Sequence, residues 1–293
     1  MLATLNLTSY ETIATVASSY INEKVLAVEK INGGMTNDNY KLFSKDNIYV
    51  LRIPGKGSSL LINRHDEYAT IKLLRGKSID VETIFFDATY GHKVTKFVEN
   101  TFISYKDDNE KCIVVADLLR KLHHSKFLFK HTSCGIEKIG CYEQIMMKHK
   151  IPFEKDYDNI RKKILKIDRL LASVREKNYC PCHNDIVPEN ILLDKNKKAY
   201  LIDWEYSGMN DPLWDLASFA LESRLSPEME QIFLKYYFNE EIEKNICEVI
   251  FIYKIYQDIL WSHWSAIKSF FGDDYTNYGK MRYNRAMVSI EML

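Results

Sequence analysis

His183-Asn184-Asp185-Ile186-Val187-Pro188-Glu189-Asn190 and Leu201-Ile202-Asp203-Trp204-Glu205 decide how this chain is read. Asp203 lies thirteen positions after Asn190 and closes the apolar, strand-like run Lys198-Ala199-Tyr200-Leu201-Ile202. A His-x-Asp, an Asn five positions beyond the Asp, and a second Asp at a strand end form the acidic core of a kinase-type phosphoryl-transfer site. The chemistry explains the residue types. One carboxylate, Asp185, must face the attacking hydroxyl as the catalytic group. Mg²⁺, a hard cation, prefers oxygen ligands, here the Asn190 amide and the Asp203 carboxylate. A lone Asp-x-x-x-x-Asn would mean little; the second acid at the end of a strand makes coincidence a poor explanation.

Composition narrows the rest. At 293 residues the chain is long enough for two lobes, given a usual domain size of roughly 100–200 residues. Lys+Arg and Asp+Glu both total 40, so no global basic charge argues for a nucleic-acid partner. The start, Met1-Leu2-Ala3-Thr4-Leu5-Asn6-Leu7-Thr8, lacks a basic n-region and an apolar h-region, so a signal peptide is not expected. Phe251 to Trp264 comes nearest to an apolar span, but Lys254, Gln257 and Asp258 interrupt it, and no membrane insertion is expected. These features imply a soluble, cytoplasmic protein whose oligomeric state the sequence leaves open. Cys112, Cys134, Cys141, Cys180, Cys182 and Cys247 form no paired C-x-x-C elements, which argues against a disulfide framework. Cys180-Pro181-Cys182-His183 looks like a metal cluster, but its spacing is wrong for the common zinc sites. His183 is better explained as structural support for the catalytic loop.

Along the chain, Thr8 to Ile21 reads as a helix with Thr8 or Ser9 as N-cap. Strand-like runs follow at Val25–Ile31, Tyr40–Phe43 and Ile48–Ile53. The turn between the first two is Asn32-Gly33-Gly34-Met35-Thr36-Asn37. Its glycines permit close backbone approach and leave N–H groups facing phosphate oxygens, although a plain hairpin turn has the same composition. Arg52 sits in the third strand, where a protein kinase has its phosphate-pairing Lys, and its fork suits phosphate oxygens. Asn63 to Leu74 reads as a helix with Asn63 as cap and Glu67 placed to pair with Arg52. Strands at Val81–Phe86 and His92–Val98 precede a polar stretch, Glu99 to Lys111, that suits a hinge. Adenine would dock on backbone groups around Lys96 to Glu99, including Phe97 and Val98. Ile113–His123 and Ile160–Val174 carry apolar residues at helical spacing. This order predicts an α+β, protein-kinase-like two-lobed fold, with a small β-rich lobe over 1–99 and a larger helical lobe over 100–293.

With those pieces in place the chain resembles the choline/ethanolamine kinase family, most closely the bacterial choline kinases that feed phosphocholine to surface polysaccharides. The resemblance covers nearly the whole chain. It rests on Gly33-Gly34-Met35-Thr36-Asn37, Ile62-Asn63-Arg64 with Glu67, His183 to Asn190, Ile202-Asp203-Trp204-Glu205-Tyr206-Ser207, and Trp261-Ser262-His263-Trp264. The first and third segments also fit aminoglycoside phosphotransferases; the last two are more specific.

The resemblance implies ATP-dependent phosphorylation of choline with ATP and Mg²⁺ as cofactors, and ATP in the cleft between the lobes. Gly33, Gly34, Thr36, Asn37, Arg52 and Glu67 would serve the nucleotide. Tyr206, Glu222, Trp261, Trp264 and Tyr278 would surround the ammonium, which aromatic faces hold by cation–π attraction. Tryptophans three apart share a helix face, so a core stripe is the competing account of Trp261 and Trp264. Ethanolamine or an aminoglycoside is the alternative acceptor, and a nucleotide-binding module without transfer activity is the alternative class. Val187 stands where eukaryotic members often carry a polar residue near the transferred phosphate, which puts that contact in doubt. Glu205 is expected at the metal or its waters, or at the surface. Asp215 is expected to brace the catalytic loop, and Asp211 to cap a helix starting at Pro212.

Overall fold

A computed structural model describes residues 9–32, 35–99, 108–132, 135–174 and 178–293. The chain divides into two compact units, Met1–Phe102 with Ile191–Glu205, and Ile103–Asn190 with Tyr206–Leu293.

The first unit begins with helix α1 (Tyr10–Ile21), capped by Ser9, whose Oγ accepts from the Thr12 N–H at 3.2 Å. Its strands are β1 (Ala27–Ile31), β2 (Asn37–Phe43), β3 (Ile48–Pro54), β4 (Thr83–Phe86) and β5 (Lys93–Lys96), paired antiparallel in the order β1-β2-β3-β5-β4. Strand periodicity sorts the side chains onto two faces. Tyr40, Leu42, Tyr49, Leu51 and Val94 pack with Ile13, Ala17 and Ile21 of α1 into one apolar core. On the opposite face Arg52 of β3 stands in register with Asn39 of β2 and Lys93 of β5.

Helix α2 (Arg64–Leu74) starts at Asn63, whose side chain accepts from the His65 N–H at 3.1 Å. It buries Arg64, Glu67, Thr70, Ile71 and Leu74 at helical spacing. The hairpin Ile191–Leu193 with Ala199–Leu201 belongs to this unit because the Leu201 N–H donates to the Ile79 carbonyl at 2.8 Å. Trp204, fully buried, then donates its indole N–H back to the Leu201 carbonyl.

The second unit is helical: α3 (Asn109–His123), α4 (Gly135–His149), α5 (Tyr157–Val174), α6 (Pro212–Glu222), α7 (Pro227–Phe238), α8 (Lys244–Phe270) and α9 (Thr276–Ile290). Asp108 caps α3, so the chain turns helical before the expected end of the polar stretch at Lys111. Residues 100–107 of that expected hinge, and Thr8 as a cap, lie outside the described residues. Asp211 caps α6 by accepting from the Leu213 N–H, with Pro212 at the first helical position. A short antiparallel pair, Cys180–Cys182 with Gly208–Asn210, frames the segment that follows Cys182. Among the described residues no helix is long and apolar enough to cross a membrane. Helix α8 runs for 27 residues but buries Gln257, Asp258 and Lys268 among its apolar side chains.

Leu51 is fully buried at the centre of the sheet. Leu51→Ala is expected to lower stability by about 2–5 kcal/mol through lost burial and a residual cavity. Urea unfolding should report this as a drop in midpoint, whereas Leu26→Ala, at an exposed position, should leave the midpoint nearly unchanged.

Candidate active site

In the first unit the site is a buried ionic cluster centred on Arg52. Its Nη1 donates to Glu67 Oε1 at 2.6 Å and to Asp203 Oδ1 at 2.7 Å. Its Nη2 donates to Glu67 Oε2 at 3.0 Å and to the Gly91 carbonyl at 3.1 Å. Arg64 Nη1 completes the ring, reaching Glu67 Oε2 at 2.7 Å and Glu205 Oε2 at 2.8 Å. Asn37 Nδ2 donates to Asp203 Oδ2 at 3.2 Å. Gly91, at φ 76°, leaves no room for a side chain: an added Cβ would fall 2.7 Å from Arg64 Nε.

Two guanidinium groups thus face three carboxylates. Burial raises the Glu67 pKa, but Arg52 and then Arg64 outweigh it and hold the carboxyl below its ordinary range. Glu205 is the group left over. Burial, then the charge of Asp203, push it up to about 7 against the pull of Arg52 and Arg64. The Asp203 side chain stays 23% exposed while that of Glu67 is wholly covered, so Asp203 is the carboxylate that can still accept an incoming ion. Its backbone is held at φ 65°, a left-handed conformation uncommon outside glycine that Asp adopts more readily than most residues.

In the second unit the loop after Cys182 is held from below by Asp215 of α6. The fully buried carboxylate accepts the His183 N–H at 2.8 Å and the Asn184 N–H at 2.7 Å, and lies 3.1 Å from His123 Nε2. Asn184, at φ 68°, donates to the Tyr206 carbonyl and accepts from Asn210, while the Trp214 indole N–H points at its carbonyl. Ser218 Oγ donates to the Ile186 carbonyl. This scaffold presents Asp185. Asn190 Nδ2 donates to both the Asp185 carbonyl and Asp185 Oδ2, at 3.0 and 3.1 Å, so of its side-chain atoms only the amide oxygen could serve a cation.

The aromatic residues gather in the same unit. The Tyr206 ring meets Trp261 edge-on at 5.3 Å between centroids, and Tyr206 Oη accepts the Trp264 indole N–H at 3.1 Å. Trp264 also lies 5.0 Å from Tyr275 and 6.3 Å from Tyr278. Tyr206 and Trp261, with Gly135, Lys138, Asn184 and Trp214, line a small cavity. Glu222 pairs with Arg282, whose guanidinium lies 5.5 Å over the Tyr278 ring and whose Nε is 2.7 Å from Asp258.

Gly33 and Gly34 lie outside the described residues. The Thr36 carbonyl accepts the Gly55 N–H. Phe97 already donates its N–H to Ile48, and Val98 is half-buried. Glu205 is buried rather than at the surface. Arg64, to which sequence reasoning gave no role, proves a full member of the ionic cluster; its place three residues before Glu67 on one helix was the available signal.

A family model described as choline/ethanolamine kinase matches residues 28–287. A protein named LicA from Haemophilus influenzae is 31% identical over 274 residues, covering 89% of this chain and 79% of that one. The crystal structure of the choline kinase LicA from Streptococcus pneumoniae is 35% identical, with a TM-score of 0.87 and coverage of 97% of this chain and 99% of that one. A LicA structure in complex with AMP is 34% identical, with a TM-score of 0.82 and coverage of 97% and 98%. A spectinomycin phosphotransferase, at 13% identity and a TM-score of 0.64, shares the fold, which is α+β and protein-kinase-like.

The raised pKa of Glu205 has a stability consequence. The folded chain binds its proton more tightly than the unfolded chain does, so the stabilisation is full below about pH 4.5 and is lost as pH rises through about 7. In metal-free buffer, Glu205→Gln should flatten this decline, which for such a shift is on the order of 3 kcal/mol. Denaturant unfolding of both proteins between pH 5 and 8 measures it, and parallel profiles would refute it.

Proposed function

The chain belongs to the choline/ethanolamine kinase family, and on that premise we propose that it transfers the γ-phosphoryl group of ATP to the hydroxyl of choline, giving phosphocholine and ADP. Asp185 orients the hydroxyl and takes its proton. Arg52, braced by Glu67, steadies the nucleotide phosphates. Catalysis then comes from positioning and charge neutralisation.

The donor set suits Mg²⁺: a partly exposed Asp203 carboxylate and an Asn190 amide oxygen turned away from Asp185 are both hard oxygen ligands. Asn190 and Asp203 would hold that ion, which when bound offsets charge on the phosphate oxygens. The cytoplasm, where ATP is supplied, is the compartment this reading expects.

The observation that carries the acceptor assignment is the aromatic cluster of Tyr206, Trp261, Trp264, Tyr275 and Tyr278. A quaternary ammonium donates no conventional hydrogen bond and is held by aromatic faces. Ethanolamine's primary ammonium needs acceptors instead, and the nearest proposed carboxylate, Glu222, is already paired with Arg282.

Purified protein given Mg·ATP and choline should release ADP; no turnover across a panel of amino alcohols would overturn the assignment, and a preference for ethanolamine would overturn choline. Asp185→Ala should cut turnover by roughly 10²- to 10⁴-fold while nucleotide affinity persists. Trp261→Ala should raise the KM for choline by roughly 3- to 30-fold with little change for ATP. Trp264→Phe, which keeps the packing but drops the bond to Tyr206, should show a smaller rise. Equal losses for both substrates would return the tryptophans to the core.

A further inference from the structure

Strand geometry puts Cys180 and Cys182 on one side of their short strand, with Pro181 pointing away, and their Sγ atoms lie 3.7 Å apart. Helix α3 brings His123 to the pair. A ring nitrogen of His123 and the two sulfurs all lie within 4.8 Å of one another. His183, adjacent in sequence, is not the partner. His123, far away in sequence, gives the two cysteines the nitrogen ligand that local spacing did not supply.

The distances distinguish the chemistry. A disulfide needs its sulfurs about 2.05 Å apart. Tetrahedral zinc with Zn–S bonds of about 2.3 Å sets two sulfurs about 3.8 Å apart, close to the separation found here. The surroundings of His123 also suit a metal ligand. Nδ1 is 2.8 Å from Tyr237 Oη and Nε2 is 3.1 Å from Asp215 Oδ2. Whichever nitrogen turns to the ion, the other keeps a hydrogen-bond partner, the usual support for a ligating imidazole. Cys182 and His123 are buried whereas Cys180 is half-exposed, so solvent can complete the coordination on that side.

We propose that Cys180, Cys182 and His123 form a binding site for a thiophilic divalent cation, Zn²⁺ or its analogues, made of residues distinct from the oxygen ligands assigned to Mg²⁺. Binding exchanges the ion for the two thiol protons, which pass to solvent, and the resulting thiolates bond to the metal. Soft ligands exclude Mg²⁺ from this position. The site also reaches the catalytic loop: Asp215, the partner of His123, holds the N–H groups of His183 and Asn184. Ligation through Nε2, with Nδ1 kept by Tyr237, takes His123 from Asp215 and loosens that brace, so the cation inhibits phosphoryl transfer. This last link rests on the kinase reading; the site itself does not.

The purified chain, kept reduced with a phosphine and in the presence of Mg²⁺, is titrated with Co²⁺. One equivalent should produce the visible ligand-field and near-ultraviolet thiolate charge-transfer bands of tetrahedral cobalt, and Zn²⁺ should abolish them. Cys180→Ala should lose the bands, and Cys247→Ala should retain them. Absence of thiolate bands at one equivalent, or their persistence in Cys180→Ala, overturns the site whether or not the chain turns over. In the kinase assay Zn²⁺ should lower turnover at least fivefold in the parent chain and leave Cys180→Ala at its basal rate. Equal inhibition of both would overturn the link to the loop.

Discussion

A guanidinium cannot shed its charge, and burying one in a β-sheet is tolerable only where carboxylates and carbonyls stand ready to meet its terminal nitrogens. Arg52 is such a group. Its needs explain why α2 must present Glu67, why Gly91 offers a carbonyl with no side chain in the way, and why the hairpin carrying Asp203 joins the first unit. Removing one partner would leave a buried charge uncompensated, a defect of about 3–5 kcal/mol for pairs of this kind. The odd carboxylate follows from an imbalance of charge. With two arginines against three acids, Glu205 moves toward its protonated form until further positive charge arrives.

Asp215 does the corresponding work in the second unit with backbone donors in place of arginines. It accepts two consecutive N–H groups, an arrangement that fixes the entry to the loop while Asn184 takes up a left-handed turn. Asp203 and Asn184 both occupy conformations that side chains seldom adopt, and each is held there by hydrogen bonds from elements distant in sequence. Local strain offset by surrounding contacts is what a positioned catalytic segment requires.

Much of this was legible. The Asp185, Asn190 and Asp203 spacing pointed to the kinase-like fold, and strand and helix periodicity placed Arg52 and Glu67 close enough to pair. The limits are physical. Arg64 was given no role, and Glu205 was left between the metal and the surface, because nothing local shows that α2 and the segment after Asp203 bury their polar faces against each other. Trp261 and Trp264 were visible as one stripe, but their different contacts depend on Tyr206, which comes from outside α8. Helices α4, α7 and α9 lack strong motifs and escaped notice. The approach of His123 to Cys180 and Cys182 was not legible, because local spacing offers only His183 and says nothing of the ring that α3 delivers.

Gly135 opens α4 against the face of Trp214, and a Cβ built there would fall 2.1 Å from the indole ring. That ring cannot retreat freely, since its N–H is directed at the Asn184 carbonyl and α8 holds the Trp214 carbonyl through Gln257. Alanine scanning, normally a way of subtracting contacts, therefore becomes at residue 135 a way of adding one. The extra methyl would act as a wedge whose displacement travels through the indole to the segment bearing Asp185. In a saturation-mutagenesis map this position would stand out as intolerant of size although it has no side chain of its own, a silhouette of the neighbouring loop cast on a helix.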